Sequence, residues 1–166
     1  MRKTIIGVMG PGNNATDLDL ENAYQLGKLI AQAGWVLLTG GRNEGVMDAA
    51  SKGAKAANGL TVGILPSSDI TTASVAVDIA IVTDLGNARN NINVLSSDVI
   101  IACGMGAGTA SEIALALKAN KKVILLNNDE NSQDFFQSLA KNQVAIAQNP
   151  ASAIELVTQF LADASI

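Results

Sequence analysis

The residues best placed to do chemistry sit in three glycine-rich turns. Met9-Gly10-Pro11-Gly12-Asn13-Asn14, Gly40-Gly41-Arg42-Asn43-Glu44-Gly45 and Gly104-Met105-Gly106-Ala107-Gly108-Thr109 each follow a short apolar run. A glycine-rich strand-to-helix turn lets backbone N–H groups approach an anion, and the helix behind it adds the partial positive charge of its N-terminus. Three such turns at the carboxyl ends of strands point to one phosphate-bearing ligand. Plainer readings stand beside this one. Gly10-Pro11-Gly12 is also a common tight turn, and Gly40-Gly41 with Gly45 would allow close packing ahead of a helix. For the third turn a purely structural role is the weaker reading, because such a density of glycine ahead of a helix is uncommon. The turn is neither the dinucleotide fingerprint, whose third glycine falls three residues after the second, nor a phosphate loop ending in Gly-Lys-Ser/Thr. Dinucleotides and nucleoside-triphosphate hydrolysis are therefore disfavoured.

Thr109, Ser111 and Glu112 open the helix after the third turn. Their hydroxyls can cap free N–H groups or bind phosphate oxygens. Glu112 reads as an acidic residue stabilised by the helix dipole, or as a carboxylate beside a phosphate loop that serves as general acid/base or accepts from ligand hydroxyls and amines. Arg89, in Ala88-Arg89-Asn90-Asn91 after Gly86, reads as a surface arginine or as an anion clamp on the same pocket. Cys103 is most simply a buried strand-end residue. The chain has no histidine. Ser-His-Asp hydrolysis, Cys-His chemistry and the usual zinc sites are thereby excluded, and no metal site is expected.

The elements that must position these residues follow from patterning. Short β-branched runs alternate with longer stretches whose apolar residues recur at three and four. Strands are expected at 4–9, 35–39, 60–65, 79–82, 98–103, 122–126 and 143–147, and helices at 19–33, 44–58, 88–96, 109–120, 131–141 and 151–162. Continuous apolar strands such as Val99-Ile100-Ile101-Ala102 suit a sheet covered by helices on both faces. The expected fold is a doubly wound, mainly parallel, Rossmann-like α/β sheet in three layers, with ligands at the carboxyl ends of the strands. The polar connection 66–72 reads as a mobile loop after the third strand, and residues 67–76 could cover the ligand's other half, with no readable chemistry of their own.

Composition narrows the class. A length of 166 residues with 48% hydrophobic and 16% charged residues fits one folded domain, 1–166, and excludes disorder. Eleven Lys+Arg against fifteen Asp+Glu give a net charge of −4, and aromatic residues make up 3%. Nucleic-acid binding would need a basic face or stacking platforms, so it is not expected. Apolar runs are far short of a membrane span, and Met1-Arg2-Lys3 begins no secretory signal. One cysteine permits no intrachain disulfide, in keeping with the cytoplasm.

The second turn extended to Val46-Met47, the Ala88-Arg89-Asn90 helix start, and Ser97-Asp98-Val99-Ile100-Ile101-Ala102 running into Gly104-Met105-Gly106-Ala107-Gly108-Thr109-Ala110-Ser111-Glu112 together resemble the Lonely Guy (LOG), or "possible lysine decarboxylase", superfamily. The likeness spans 7–126, and with Gly10-Pro11-Gly12 it is nearest the branch of molybdenum cofactor carrier proteins. It implies a Rossmann-like sheet and a homo-oligomer, dimer or tetramer; the decarboxylase label implies no such activity. In the LOG phosphoribohydrolases the signature is Pro-Gly-Gly-x-Gly-Thr-x-x-Glu with an upstream Arg-Lys, and the Arg and Glu remove ribose 5-phosphate from a nucleoside monophosphate. Arg89 and Glu112 match those two residues, whereas the proline is missing, Met105 interrupts the glycine pair and Asn90 replaces the lysine.

Three functions follow from that resemblance. The favoured one is binding and protective carrying of the molybdenum cofactor, a pterin dithiolene with a terminal phosphate, for molybdoenzyme acceptors. Its ligand set is Gly10, Gly12, Gly40, Gly41, Arg42, Gly45, Met47, Arg89, Asn90, Gly104, Met105, Gly106, Ala107, Gly108, Thr109, Ser111 and Glu112. The alternative is a phosphoribohydrolase acting on a nucleoside monophosphate, with Arg89 and Glu112 catalytic. A nucleotide-sensing module with a protein partner is the third.

Overall fold

Seven strands form one sheet: β1 (Ile5–Met9), β2 (Val36–Thr39), β3 (Thr61–Leu65), β4 (Ile79–Val82), β5 (Val99–Cys103), β6 (Lys122–Leu126) and β7 (Val144–Ile146). Their order is β4-β3-β2-β1-β5-β6-β7 and every pairing is parallel. The computed structural model describes residues 2–127 and 129–163, so Met1, Asn128 and 164–166 of the expected 1–166 domain lie outside the described residues. Six helices alternate with the strands: α1 (Asp17–Gln32), α2 (Gly45–Ala56), α3 (Asn90–Ser96), α4 (Ala107–Lys118), α5 (Glu130–Leu139) and α6 (Pro150–Asp163). No described helix is long and apolar enough to cross a membrane.

The period-2 alternation of each strand assigns its side chains to two cores. Ile6 and Val8, Leu37, Val99 and Ile101, and Ile124 and Leu126 face one side, where they pack with Ala23, Leu26, Ile30, Ala50, Ala54 and Val157 of α1, α2 and α6. Met9, Leu38, Ile100, Ala102, Val123 and Leu125 face the other and meet Val94, Ile113, Ala116 and Phe136 of α3, α4 and α5. Helices on both faces make the three layers expected of apolar parallel strands. The strand order reverses between β1 and β5, and there the chain segments leaving the two carboxyl ends diverge and open a crevice.

Element boundaries shift by at most two residues from the sequence-based expectation, and two shifts matter. Before α3 the chain makes a 3-10 turn over Gly86–Arg89, which places Arg89 at the junction instead of within an α-helix. α4 begins at Ala107, two residues early, with extended Gly106 as its N-cap. Gly108 and Thr109 therefore belong to its first turn, where backbone N–H groups have no intrahelical acceptor. The connection 67–76 does not cover the crevice. It folds onto the second glycine turn, where Thr72 accepts from the Asn43 N–H (2.8 Å) and Gly41 accepts from the Ser74 N–H (2.9 Å), while Ser74 Oγ donates to Asp48 (2.7 Å).

α1 and α2 carry the first and second turns and pack with their backbones nearly touching. A Cβ on Gly27 would land on the Ala50 carbonyl oxygen, and one on Gly53 would land on that of Tyr24. Helix propensity alone favours alanine over glycine in a helix interior by about 1 kcal/mol. Here the added methyl meets backbone, which cannot rotate away, and overpacking costs about 1–3 kcal/mol. Gly53→Ala is expected to lower the melting temperature by at least about 4 °C in a thermal unfolding scan; a rise would mean that propensity outweighs the contact.

Candidate functional site

The crevice between β1 and β5 is a cavity of about 310 Å3, in the size range of small-molecule sites. All three glycine turns contribute. The first supplies Gly10, Gly12, Asn13 and Asn14, the second Gly40 and Arg42, and the third Gly106, Ala107, Gly108 and Thr109; Met47, Asn87, Arg89, Asn90 and Glu112 complete the wall. Gly40 permits a close approach of two side chains, since a Cβ there would lie 2.6 Å from Arg89 Nη2 and 2.7 Å from Met47 Sδ.

Five of the expected residues do not line the cavity. Gly41, Gly45 and Gly104 have φ of 76°, 52° and 76°, and they turn the backbone so that their neighbours can line it. Met105 packs on the core beneath α4. Ser111 faces outward, where its Oγ donates to the Gly108 carbonyl (2.7 Å) and accepts from Asn90 Nδ2 (2.9 Å). Asn13, Asn14 and Asn87 line the cavity and were not singled out from sequence. Their only signal was position, directly behind Gly12 and Gly86.

Five polar side chains on or behind the cavity wall are almost fully removed from water: Arg89 and Asn90 are each 8% exposed, Glu112 5%, Thr109 2% and Asn93 0%. Arg89 is held at its junction by hydrogen bonding from Nη1 to Asn90 Oδ1 (3.0 Å), and Nη2 lies 4.0 Å from Met47 Sδ. Its Nη1 is 3.6 Å from Glu112 Oε1. Asn93 Nδ2 donates to the same carboxyl oxygen at 2.8 Å. Burial pushes the Glu112 carboxyl up to about 7, against the opposing pull of Asn93 and Arg89. Burial also draws the Arg89 guanidinium down, with Glu112 opposing this and Arg42 adding to it; an arginine so far above neutrality stays cationic. Arg42 is half-exposed and paired with Glu44 at 2.8 Å.

Four buried donors have no hydrogen-bond partner among the described residues, and Thr109 Oγ1 and Arg89 Nε are two of them. A buried polar group left unpaired costs about 1–3 kcal/mol, and both belong to residues that line the cavity. With the free N–H groups of the α4 first turn, these donors suit an anion. Cys103 takes no part. It is fully buried beneath the third turn, and burial, with Asp19 nearby, pushes its thiol up to about 12.

Comparison with known proteins shows the family and the fold. The SLOG cluster4 family model matches residues 3–154. The structure is similar to that of the molybdenum cofactor binding protein from the phototrophic bacterium Rippkaea orientalis, with 68% identity, a TM-score of 0.96, and coverage of 97% of this chain and 99% of that one. The Moco carrier protein from Chlamydomonas reinhardtii is 55% identical at a TM-score of 0.92, covering 98% and 99% of the two chains. A cytokinin riboside 5'-monophosphate phosphoribohydrolase of Mycobacterium tuberculosis is 36% identical over 96 residues, 57% of this chain and 51% of that protein. On the family match and on relatives aligned along nearly their whole length, the chain belongs to the SLOG cluster4 family.

Proposed function

We propose that this protein binds and carries the molybdenum cofactor, holding its terminal phosphate at the N-terminus of α4. One observation carries the reading: Thr109 Oγ1 is buried and unpartnered at the open first turn of a helix, among glycines that admit an oxygen to backbone distance. Relatives named for molybdenum cofactor binding match this chain end to end, whereas the phosphoribohydrolase aligns with little more than half of it. Gly106, Ala107 and Gly108 would offer N–H groups to the phosphate, with Arg89 and Arg42 further along the wall. Delivery to molybdenum enzymes in the cytoplasm belongs to the same reading.

Glu112 adds a proton. As a neutral acid it leaves the cavity net positive through Arg89, which favours an anionic guest; ionised, it would repel one. Its raised affinity for the proton also sets the sign of a stability effect. From about pH 4.5, where the unfolded carboxyl ionises, to about pH 7, the folded chain holds a proton that the unfolded chain has lost. Stability therefore falls with rising pH across that window and levels off above it.

Self-association is part of the proposal as well. A groove lined by Ala88, Ala114 and Leu115 runs along the outer side of α3 and α4, and Leu95 nearby is 54% exposed. A dimer or tetramer is expected by light scattering on a sizing column, and a monomer at all concentrations would remove this part.

Two further outcomes are expected. Thr109→Val should weaken anaerobic cofactor binding about tenfold, and wild type incubated with adenosine monophosphate should release no adenine by chromatography. Unchanged affinity would dismiss the α4 phosphate site; release abolished by Glu112→Gln would make the protein a phosphoribohydrolase. In thermal unfolding between pH 5 and pH 8, Glu112→Gln should gain on wild type by about 3 kcal/mol as pH rises. A constant difference would show that the carboxyl is ionised throughout.

A further inference from the structure

The connection 67–76 carries no readable chemistry in its sequence, yet in the structure it meets the second glycine turn edge to edge. Arg42 and Ala73 face each other in a single antiparallel bridge. The residues flanking Arg42 make the bonds across it: the Asn43 N–H donates to the Thr72 carbonyl (2.8 Å), and the Gly41 carbonyl accepts from the Ser74 N–H (2.9 Å). On its other side Gly41 donates its N–H to Thr39 Oγ1 (3.0 Å), and a Cβ on Gly63 of β3 would come within 2.7 Å of the Gly41 Cα. The turn is therefore held between β3 and residues 72–74, with Arg42 at the middle of the bridge.

Ser74 closes the arrangement. It is 3% exposed. Its Oγ accepts from the Ala76 N–H (3.2 Å) and donates to Asp48 Oδ1 (2.7 Å). Asp48 lies in the first turn of α2, next to Met47, whose Sδ faces the Arg89 guanidinium. One side chain thus joins the connection, the glycine turn and the helix behind it. The far end is anchored on β3, where the buried Thr61 Oγ1 donates to the Ala76 carbonyl (2.7 Å) and accepts from the Asp78 N–H (2.8 Å). Residues 72–78 stand outside the cavity wall.

We propose that residues 72–78 are a strap that positions the second glycine turn, with Ser74 and Asp48 as positioning residues: they set where Arg42 and the backbone of Gly40 and Gly41 stand without touching a guest. The consequence for cargo rests on the carrier reading above. Adjacent glycines leave the turn many backbone conformations, so its own sequence does not hold Arg42 in one place. A bridge of one residue pair has no neighbouring rungs and by itself opens readily. The Ser74–Asp48 bond adds a tie to a carboxylate, and removing the hydroxyl leaves that partly buried carboxylate short of a donor. Asp48 also pairs with Lys52 (2.6 Å), an exposed partner on the same helix face that contributes little.

The test reads amide hydrogen exchange in the free protein by NMR and, separately, anaerobic dissociation of the molybdenum cofactor. Ser74→Ala and Asp48→Ala should each speed exchange of the Asn43 amide about tenfold and leave that of Ile101 in β5 unchanged. The double variant should add nothing further. Asp48→Asn, which keeps Oδ1 as an acceptor, should stay within about twofold of wild type. Cofactor dissociation should quicken about tenfold in the two alanine variants and not in Asp48→Asn. Wild-type exchange at Asn43 in both alanine variants, effects that add in the double variant, or equal acceleration at Ile101 would each overturn the strap, the last by reducing Ser74 to a share of overall stability. Local acceleration at Asn43 in a protein whose wild type retains no cofactor would strike the carrier reading and leave the strap standing. Cofactor held equally by wild type and Ser74→Ala would strike the positioning role and leave the carrier reading.

Discussion

Burying an arginine and a glutamate side by side at the mouth of a parallel sheet is the constraint on which this molecule's arrangement turns. Arg89 and Glu112 are both nearly out of water, yet 3.6 Å apart and not in close contact. A charge taken from water costs several kcal/mol unless paired and hydrogen-bonded. Neither partner fully compensates the other, as the raised carboxyl records. The cost is reduced by two asparagines three residues apart on α3, one face of a helix: Asn90 accepts from Arg89, and Asn93 donates to Glu112. Asn90 also reaches Ser111, which grips the Gly108 carbonyl, so the arginine is tied through three hydrogen bonds to the first turn of α4.

That tie gives meaning to the replacement of the hydrolases' lysine by Asn90. A lysine has donors only and could not accept from Arg89. The amide carries one acceptor and two donors on a short stem, so it bridges the guanidinium and Ser111 at once. The guanidinium is thereby held in place against the first turn of α4.

Parallel topology supplies the rest. All strands point the same way, so every connecting helix presents its N-terminus at one end, and the β1–β5 reversal opens the space among them. The available N-termini are not equivalent. α1 is closed by its own capping box, Thr16 with Asp19, and satisfies its first-turn donors internally. α4 begins on Gly106, which has no side chain to turn back onto the free N–H groups. Pro11 of the first turn packs near Gly106 and accepts from the Val46 N–H at 3.0 Å, joining the three turns into one wall.

Much of this was legible in the residues. Apolar strands such as 99–103 declared a sheet buried on both faces, and glycine clusters at strand ends located the end of it where the cavity opens. Gly104-x-Gly106-x-Gly108-Thr109 with Glu112, and Arg89 upstream, marked the cavity wall. Local pattern determines these features because strand and helix periods, and glycine's backbone freedom, act within a few residues. Tertiary structure decided which glycines line the cavity and which only turn the chain: Gly106 lines it and Gly104 sits against Asp19, although two positions separate them. It also placed Asn13, Asn14 and Asn87 on the wall and set connection 67–76 against the second turn. Above all it left Thr109 Oγ1 and Arg89 Nε buried without a partner, because burial and the absence of a partner depend on segments distant in sequence that the strand order brings together.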